Sequence, residues 1–222
     1  MRRRVDLLAA LAALLFAWPA LAASWPDIPE PEGAQSEWVA KDMLYNGLPM
    51  RISRFTSALP VSSIVSYYNR EWPGQTVINE VGGKTVIGHA HGEYYVTIEV
   101  SAKGSGSQSQ IGITRLLKRK PDAAAGADFP KPSGTQVIND ITYLDTPGRS
   151  LSMESTLSPF QTDAFYASRL PADGWSRSSG PAGCSMIALQ CVVRYSKGSQ
   201  EMTMTFNRHE QGTSIVVNQS QH

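Results

Sequence analysis

Two hydrophobic periods run along this chain, and they occur in the same order twice. In the first stretch, residues 48–52 read as a strand. Val61, Ile64, Val65, Tyr68 and Trp72 then fall at i, i+3, i+4, i+7 and i+11, one face of a helix opened by Pro60. β-prone runs follow at 76–78, 85–89, 94–100 and 110–117, with turn residues at His91-Gly92 and at Gly104-Ser105-Gly106-Ser107. In the second stretch, 150–155 alternates as a strand. Ser158-Pro159 with Gln161 then forms a capping-box pattern that opens a helix, and Pro171 stops it. Runs at 186–195, 201–207 and 213–219 follow, with Lys197-Gly198 and Gln211-Gly212 at turns.

Particular residues align between the stretches. Tyr67-Tyr68 matches Phe165-Tyr166 and Trp72 matches Leu170 at an offset of 98, and the run 96–100 matches 202–206 at an offset of 106. The difference of eight marks an insertion in the second stretch that carries Cys184 and Cys191. The sequence therefore predicts an α+β protein of two similar units, each one helix packed on an antiparallel sheet, as an internal duplication would produce, and it leaves open whether they lie as two lobes or merge into one long sheet. The expected boundaries are a signal peptide at 1–22, an extended Pro-rich arm at 23–36, a first unit at 37–118, a linker rich in Pro, Ala and Gly at 119–134, and a second unit at 135–222.

The leader reading rests on Arg2, Arg3 and Arg4 ahead of an apolar run from 7 to 18, then Pro19 and an A-x-A site at Ala20-Leu21-Ala22. The run is shorter than the roughly 20 residues a membrane span needs, and no later run approaches that length. No cysteine precedes Cys184, so no lipid-anchoring cysteine stands at the cleavage site. Cleavage removes three arginines and Asp6 and turns a formal net charge of +1 into −1. Such a balance argues against a general nucleic-acid binder. With 41% hydrophobic and 18% charged residues the chain can build a core. The predicted location is the periplasm or beyond.

An oxidising location decides the two cysteines. Cys184 and Cys191 are expected to form a disulfide stapling the insertion. Their spacing is not a C-x-x-C redox motif, and Gly183-Cys184-Ser185 has no nearby base to activate a nucleophile. Two cysteines exclude a four-cysteine zinc site. The one metal candidate is His89 with His91 at i+2 and Glu93 as third ligand, weighed against solvated turn residues because Gly92 bends the chain there. The glycines at 104 and 106 lie between strands, not before a helix, so they form a hairpin tip and not a phosphate cradle. Arg115, Lys118, Arg119 and Lys120 make a short basic cluster that reads as linker, or as a contact for anionic lipid or an acidic partner. Asn218-Gln219-Ser220 matches a glycosylation acceptor, relevant only in a eukaryotic secretory route.

No G-x-S-x-G elbow and no carboxylate couple stands out, and no cofactor is expected. The function expected is that of an exported, non-enzymatic accessory protein that binds another cell-envelope protein. The contact would be a sheet edge or the arm, with Trp25, Pro26, Ile28 and Pro29 as anchors. One alternative is a periplasmic binder of a small apolar ligand or lipid, lined by Tyr67, Tyr68, Trp72, Phe165, Tyr166 and Trp175. Another is a hydrolase with dispersed residues, built around His89, His91 or His209.

Overall fold

Alternating burial along each strand sets the architecture. In the strand from Tyr94 to Lys103, Tyr94, Val96, Ile98 and Val100 are buried, while Tyr95, Thr97, Glu99 and Ser101 between them are not. That is the period-2 signature of a sheet packed on one face. The computed structural model describes residues 24–178 and 183–222. The leader expected at 1–22 lies outside the described residues.

The chain runs β1 (Gln35–Tyr45), β2 (Leu48–Ser57), α1 (Val61–Glu71), β3 (Thr76–Val81), β4 (Lys84–His91), β5 (Tyr94–Lys103) and β6 (Gly106–Arg115). It continues with β7 (Gln136–Tyr143), β8 (Gly148–Ser155), α2 (Pro159–Arg169), a 3₁₀ turn (Leu170–Asp173), β9 (Ser176–Arg177), β10 (Gln190–Lys197), β11 (Gln200–His209) and β12 (Gly212–Gln221). All twelve strands join one antiparallel sheet in the order β3-β4-β5-β6-β2-β1-β7-β8-β12-β11-β10-β9.

This corrects the expected fold class. The protein is not an α+β pair of helix-on-sheet units joined by a linker. Over the described residues it is nearly all-β, one continuous sheet with two α-helices of 11 residues each. The error lies in β1 and β7, which the sequence pattern did not reveal as strands. Both are bulged: register shifts fall between Trp38 and Ala40, between Ala40 and Met43, and between Val137 and Asn139. A bulge adds a residue and so breaks the two-residue alternation that marks a strand. These two hidden strands pair with each other and merge the halves (Met43 with Tyr143, Leu44 with Thr142, Tyr45 with Ile141). Each half contributes six strands, and the two edge strands, β3 and β9, are each the first strand after their half's helix.

The β1–β7 seam has only three residue pairs, and side chains reinforce it. Tyr45 donates its hydroxyl to Asn139 at 2.6 Å, and the Asp140 amide donates to the Asn46 side chain at 2.8 Å. Arg149, from β8, donates to both Asp140 and Asp128. Burial opposes the charge on Asp140, but hydrogen bonds from Arg149 and from the Gly126 amide outweigh it and hold the carboxyl below its ordinary range. The Arg149 hydrogen bonds hold Asp128 low as well.

Two cores lie under the helices. Under α1, Ile64 and Tyr68 meet Phe55, Ile87, Val96, Ile98, Val100 and Ile111. Under α2, Tyr166 and Leu170 meet Leu151, Met153, Met204, Phe206 and Ile215, and Phe129 joins them from the segment expected to be linker. Helix α2 starts on the expected capping box, with Ser158 and Gln161 bonding reciprocally. Helix α1 starts after Pro60 with no side-chain cap.

Candidate functional site

The Pro-rich arm is folded onto the first half of the sheet. Trp25 packs between the ring of Tyr94, at 5.2 Å, and the guanidinium of Arg51, at 4.7 Å. Ile28 is buried in the first core, and Tyr67 donates its hydroxyl to the carbonyl of Glu30. Pro26 and Ile28 face a small cleft shared with Trp38, Ser53, Ile111 and Ile113, and Pro29 is partly exposed beside them. The expected anchors Trp25 and Ile28 are thus engaged inside this chain, where they cover apolar sheet that would otherwise face water.

His89, His91 and Glu93 are not gathered into one ligand set. His89 is buried, with its ring stacked on Trp72 at 4.1 Å and 4° between planes. Its Nδ1–H donates to the Gln75 carbonyl at 3.1 Å. His91 lies 5.9 Å from it, centroid to centroid, and Glu93 pairs with Arg115 at 3.2 Å. Among the described residues no group of three His, Cys, Asp or Glu can hold a metal ion. His209 sits elsewhere, on β11. Its Nε2–H donates to Glu154 at 2.7 Å and its Nδ1 accepts from the Gln211 amide at 3.2 Å, so both ring nitrogens are engaged. The aromatics considered as pocket lining are core. Tyr68 and Tyr166 are fully buried, and Tyr67, Trp72, Phe165 and Trp175 pack against the two clusters. Burial pushes the Tyr68 and Tyr166 hydroxyls above their ordinary pKa.

Cys184 and Cys191 form the expected disulfide. A disulfide between the two cysteines of the chain fits an oxidising, extracytoplasmic compartment. Among the described residues no helix is long and apolar enough to cross a membrane. The strand expected over 186–195 begins only at Gln190, because the staple turns residues 184–189 out of the sheet. Asp163 of α2 ties down the base of this loop. It accepts the Cys184 amide at 2.8 Å and pairs with Arg177 at 2.9 Å. A Cβ on Gly183 would come within 2.2 Å of the Asp163 carboxylate, so any other residue there would have to displace that carboxylate from its place at the loop base. Arg208 holds the other side, donating to the carbonyls of Met186 and Ala188.

The sheet has two outer edges, and they differ. β3 offers six residues, paired in unbroken register with β4 across a Gly82-Gly83 turn whose two positive φ angles suit a tight hairpin. Val77 and Val81, on one face of β3, are 59% and 60% exposed, and Ile78 is exposed on the other. β9 offers two residues.

No protein-family model, no curated protein and no solved structure matches this chain. The functional reading therefore rests on the site residues themselves.

Sequence reasoning missed the gripping residues. Asp163 and Arg208 lie about 20 positions from the loop atoms they hold, and Arg177 acts through Asp163. It also assigned Met186, Ile187 and Leu189 to a strand. The seven-residue separation of the cysteines carried the signal. A loop that short cannot hold a regular strand between its bridged ends.

Proposed function

We propose that this chain is an exported, non-enzymatic accessory protein of the bacterial cell envelope, and that it binds another envelope protein by strand addition along β3. Export is read from the leader pattern at 1–22, and the disulfide supports it. The observation that carries the binding site is the state of the β3 edge. Natural sheets blunt their edges with proline, lysine, bulges or very short strands. β3 has none of these. Its sequence is TVINEV, its register is regular, and its one charge, Glu80, accepts a hydrogen bond from Thr85 within its own hairpin. The opposite edge, β9, is blunted by being two residues long. Trp25 and Ile28 are engaged internally, which favours a sheet edge over the arm, and β3 is the longer of the two edges. An added strand would gain main-chain hydrogen bonds along β3 and side-chain contacts with Val77 and Val81.

The test is site-specific photocrosslinking in exporting cells, with the crosslinker at Asn79 on β3 and, as control, at Ser176 on β9. The expected result is a discrete adduct from Asn79 alone, lost in a Val77→Lys/Val81→Lys variant whose thermal midpoint is unchanged. An adduct equally strong from Ser176, or one that survives the lysines, removes the β3 edge as the contact.

A further inference from the structure

Between β9 and β10, residues 186–189 present large apolar side chains to water. Met186, Ile187 and Leu189 are 72%, 88% and 74% exposed, the three most exposed large apolar side chains among the described residues. Ordinary loops avoid this, and where it occurs it marks a contact surface. No charged residue occurs from 183 to 193.

The backbone of the loop is the second, independent observation. The Ala188 amide donates to the Ser185 carbonyl at 3.1 Å. The Met186 and Ala188 carbonyls accept from the Arg208 guanidinium at 2.8 and 3.1 Å, and the Leu189 carbonyl accepts from the Arg208 amide at 2.7 Å. In water these carbonyls would need no such partners. On leaving bulk water an unpaired carbonyl becomes costly, and these three are already paired within the chain. The disulfide and the Asp163–Cys184 hydrogen bond fix the base of the loop, so docking would require little further ordering.

We propose that this stapled loop is a membrane-docking tip: Met186, Ile187 and Leu189 insert into the interfacial layer of a bilayer, with Arg208 behind them facing the anionic headgroups. A lipid surface fits better than a protein pocket for two reasons. Protein hot spots favour Trp, Tyr and Arg and are poor in Leu, whereas the exposed side chains of this tip are all non-aromatic. A protein partner could also supply donors to the loop carbonyls, and these carbonyls are already occupied. Three side chains give a weak, reversible attachment, comparable to a single short anchor. The inference is independent of strand addition at β3, which lies at the other end of the sheet.

The test uses protein purified from exporting cells in its oxidised form, floated with vesicles of phosphatidylethanolamine and phosphatidylglycerol at about 3:1, which supply a negative surface. Wild type should co-float, and Ile187→Asp should cut the bound fraction by about tenfold or more. Ile187 is nearly fully exposed, so that variant should keep its disulfide and its thermal midpoint. Ile187→Trp gives a local readout: its emission should shift to the blue with vesicles and be quenched by brominated lipid. The Val77→Lys/Val81→Lys variant should float like wild type, which separates this proposal from the β3 reading. Three results would each overturn it: wild type that stays with the soluble fraction, Ile187→Asp that floats as well as wild type, or an emission from the Ile187→Trp variant that is indifferent to vesicles. The second or third would place the attachment elsewhere or the loop in a protein pocket.

Discussion

The two halves of the sheet each carry one helix on a single core and end differently. In the first half the outermost hairpin, β3–β4, keeps its full ladder of six pairs across a two-glycine turn. In the second half the outermost strands, β9 and β10, share two pairs, and residues 184–189 ahead of β10 leave the sheet as the stapled loop. One half thus ends in an open backbone edge and the other in a closed, apolar tip. The cores beneath are alike: each helix places one tyrosine, Tyr68 or Tyr166, fully buried on the sheet. The difference at the rims is therefore not a difference in how each half is held together. It is a difference in what each half can offer to something outside.

The equivalence of the cores is the part of this comparison that a large effect can break. Truncating either tyrosine opens a cavity under its helix, so Tyr68→Ala and Tyr166→Ala should each cost about 3–5 kcal/mol. Chemical denaturation of both variants measures this. A cost under about 1 kcal/mol for one of them would mean that its helix contributes little and that the halves are cored differently. Tyr68→Phe and Tyr166→Phe should cost far less, since neither hydroxyl has a partner among the described residues.

The seam distinguishes the halves next. Arg149 belongs to the second half and neutralises Asp140, whose backbone bonds Asn46 at the end of β1, together with Asp128. Arg149→Ala should cost about 3 kcal/mol at neutral pH, because it leaves Asp140 nearly buried without its cation. Both carboxyls are held below their ordinary range in the folded state. Their contribution is therefore complete above the unfolded value of about 4 and is lost as pH falls through the lower folded values. The penalty of Arg149→Ala should shrink steadily below about pH 4. Denaturation midpoints across the acid range up to neutral pH measure it, and a penalty that does not change with pH would sink the ion-pair account of the seam.

The staple comes third. Replacing both Cys184 and Cys191 by serine should cost roughly 2–3 kcal/mol in the chain-entropy account of so short a loop. Hydrogen exchange should quicken at 183–190 and stay unchanged in β3–β4. Faster exchange at both rims would show that the staple supports the whole sheet and not the tip alone.

How far these features could be read from sequence follows from their range. The helix face from Val61 to Trp72, the capping box at Ser158 and the disulfide are local patterns, and the structure contains all three. β1 and β7 were not legible, because their bulges displace the alternation that a strand reader counts. Missing them made the expected class α+β and left open whether the two expected units share one sheet. The arm was legible as an extended Pro-rich segment, but its cover over Tyr94 and Arg51 depends on contacts far along the chain. The tip was hidden for a similar reason. Met186, Ile187 and Leu189 carry the composition of a strand, and only Arg208, Asp163 and the staple show that they face outward.

The smallest test concerns how the two helices begin. Ser158 accepts the Gln161 amide, and the Gln161 side chain returns to the Ser158 amide. Pro60, at the same place before α1, offers no side-chain acceptor and leaves the first-turn amides of that helix with one partner fewer. Ser158→Ala should therefore cost about 1 kcal/mol, read as a fall in denaturation midpoint. Pro60→Ser supplies the missing acceptor at a residue already in extended geometry (φ −68°, ψ 163°), and it also frees the unfolded chain. Those two terms are of similar size and opposite sign, so the net change should stay within about 0.5 kcal/mol. If Ser158→Ala proves equally neutral, the helix starts are equivalent in energy despite their different chemistry. The contrast between the halves would then lie wholly at the rims and the seam.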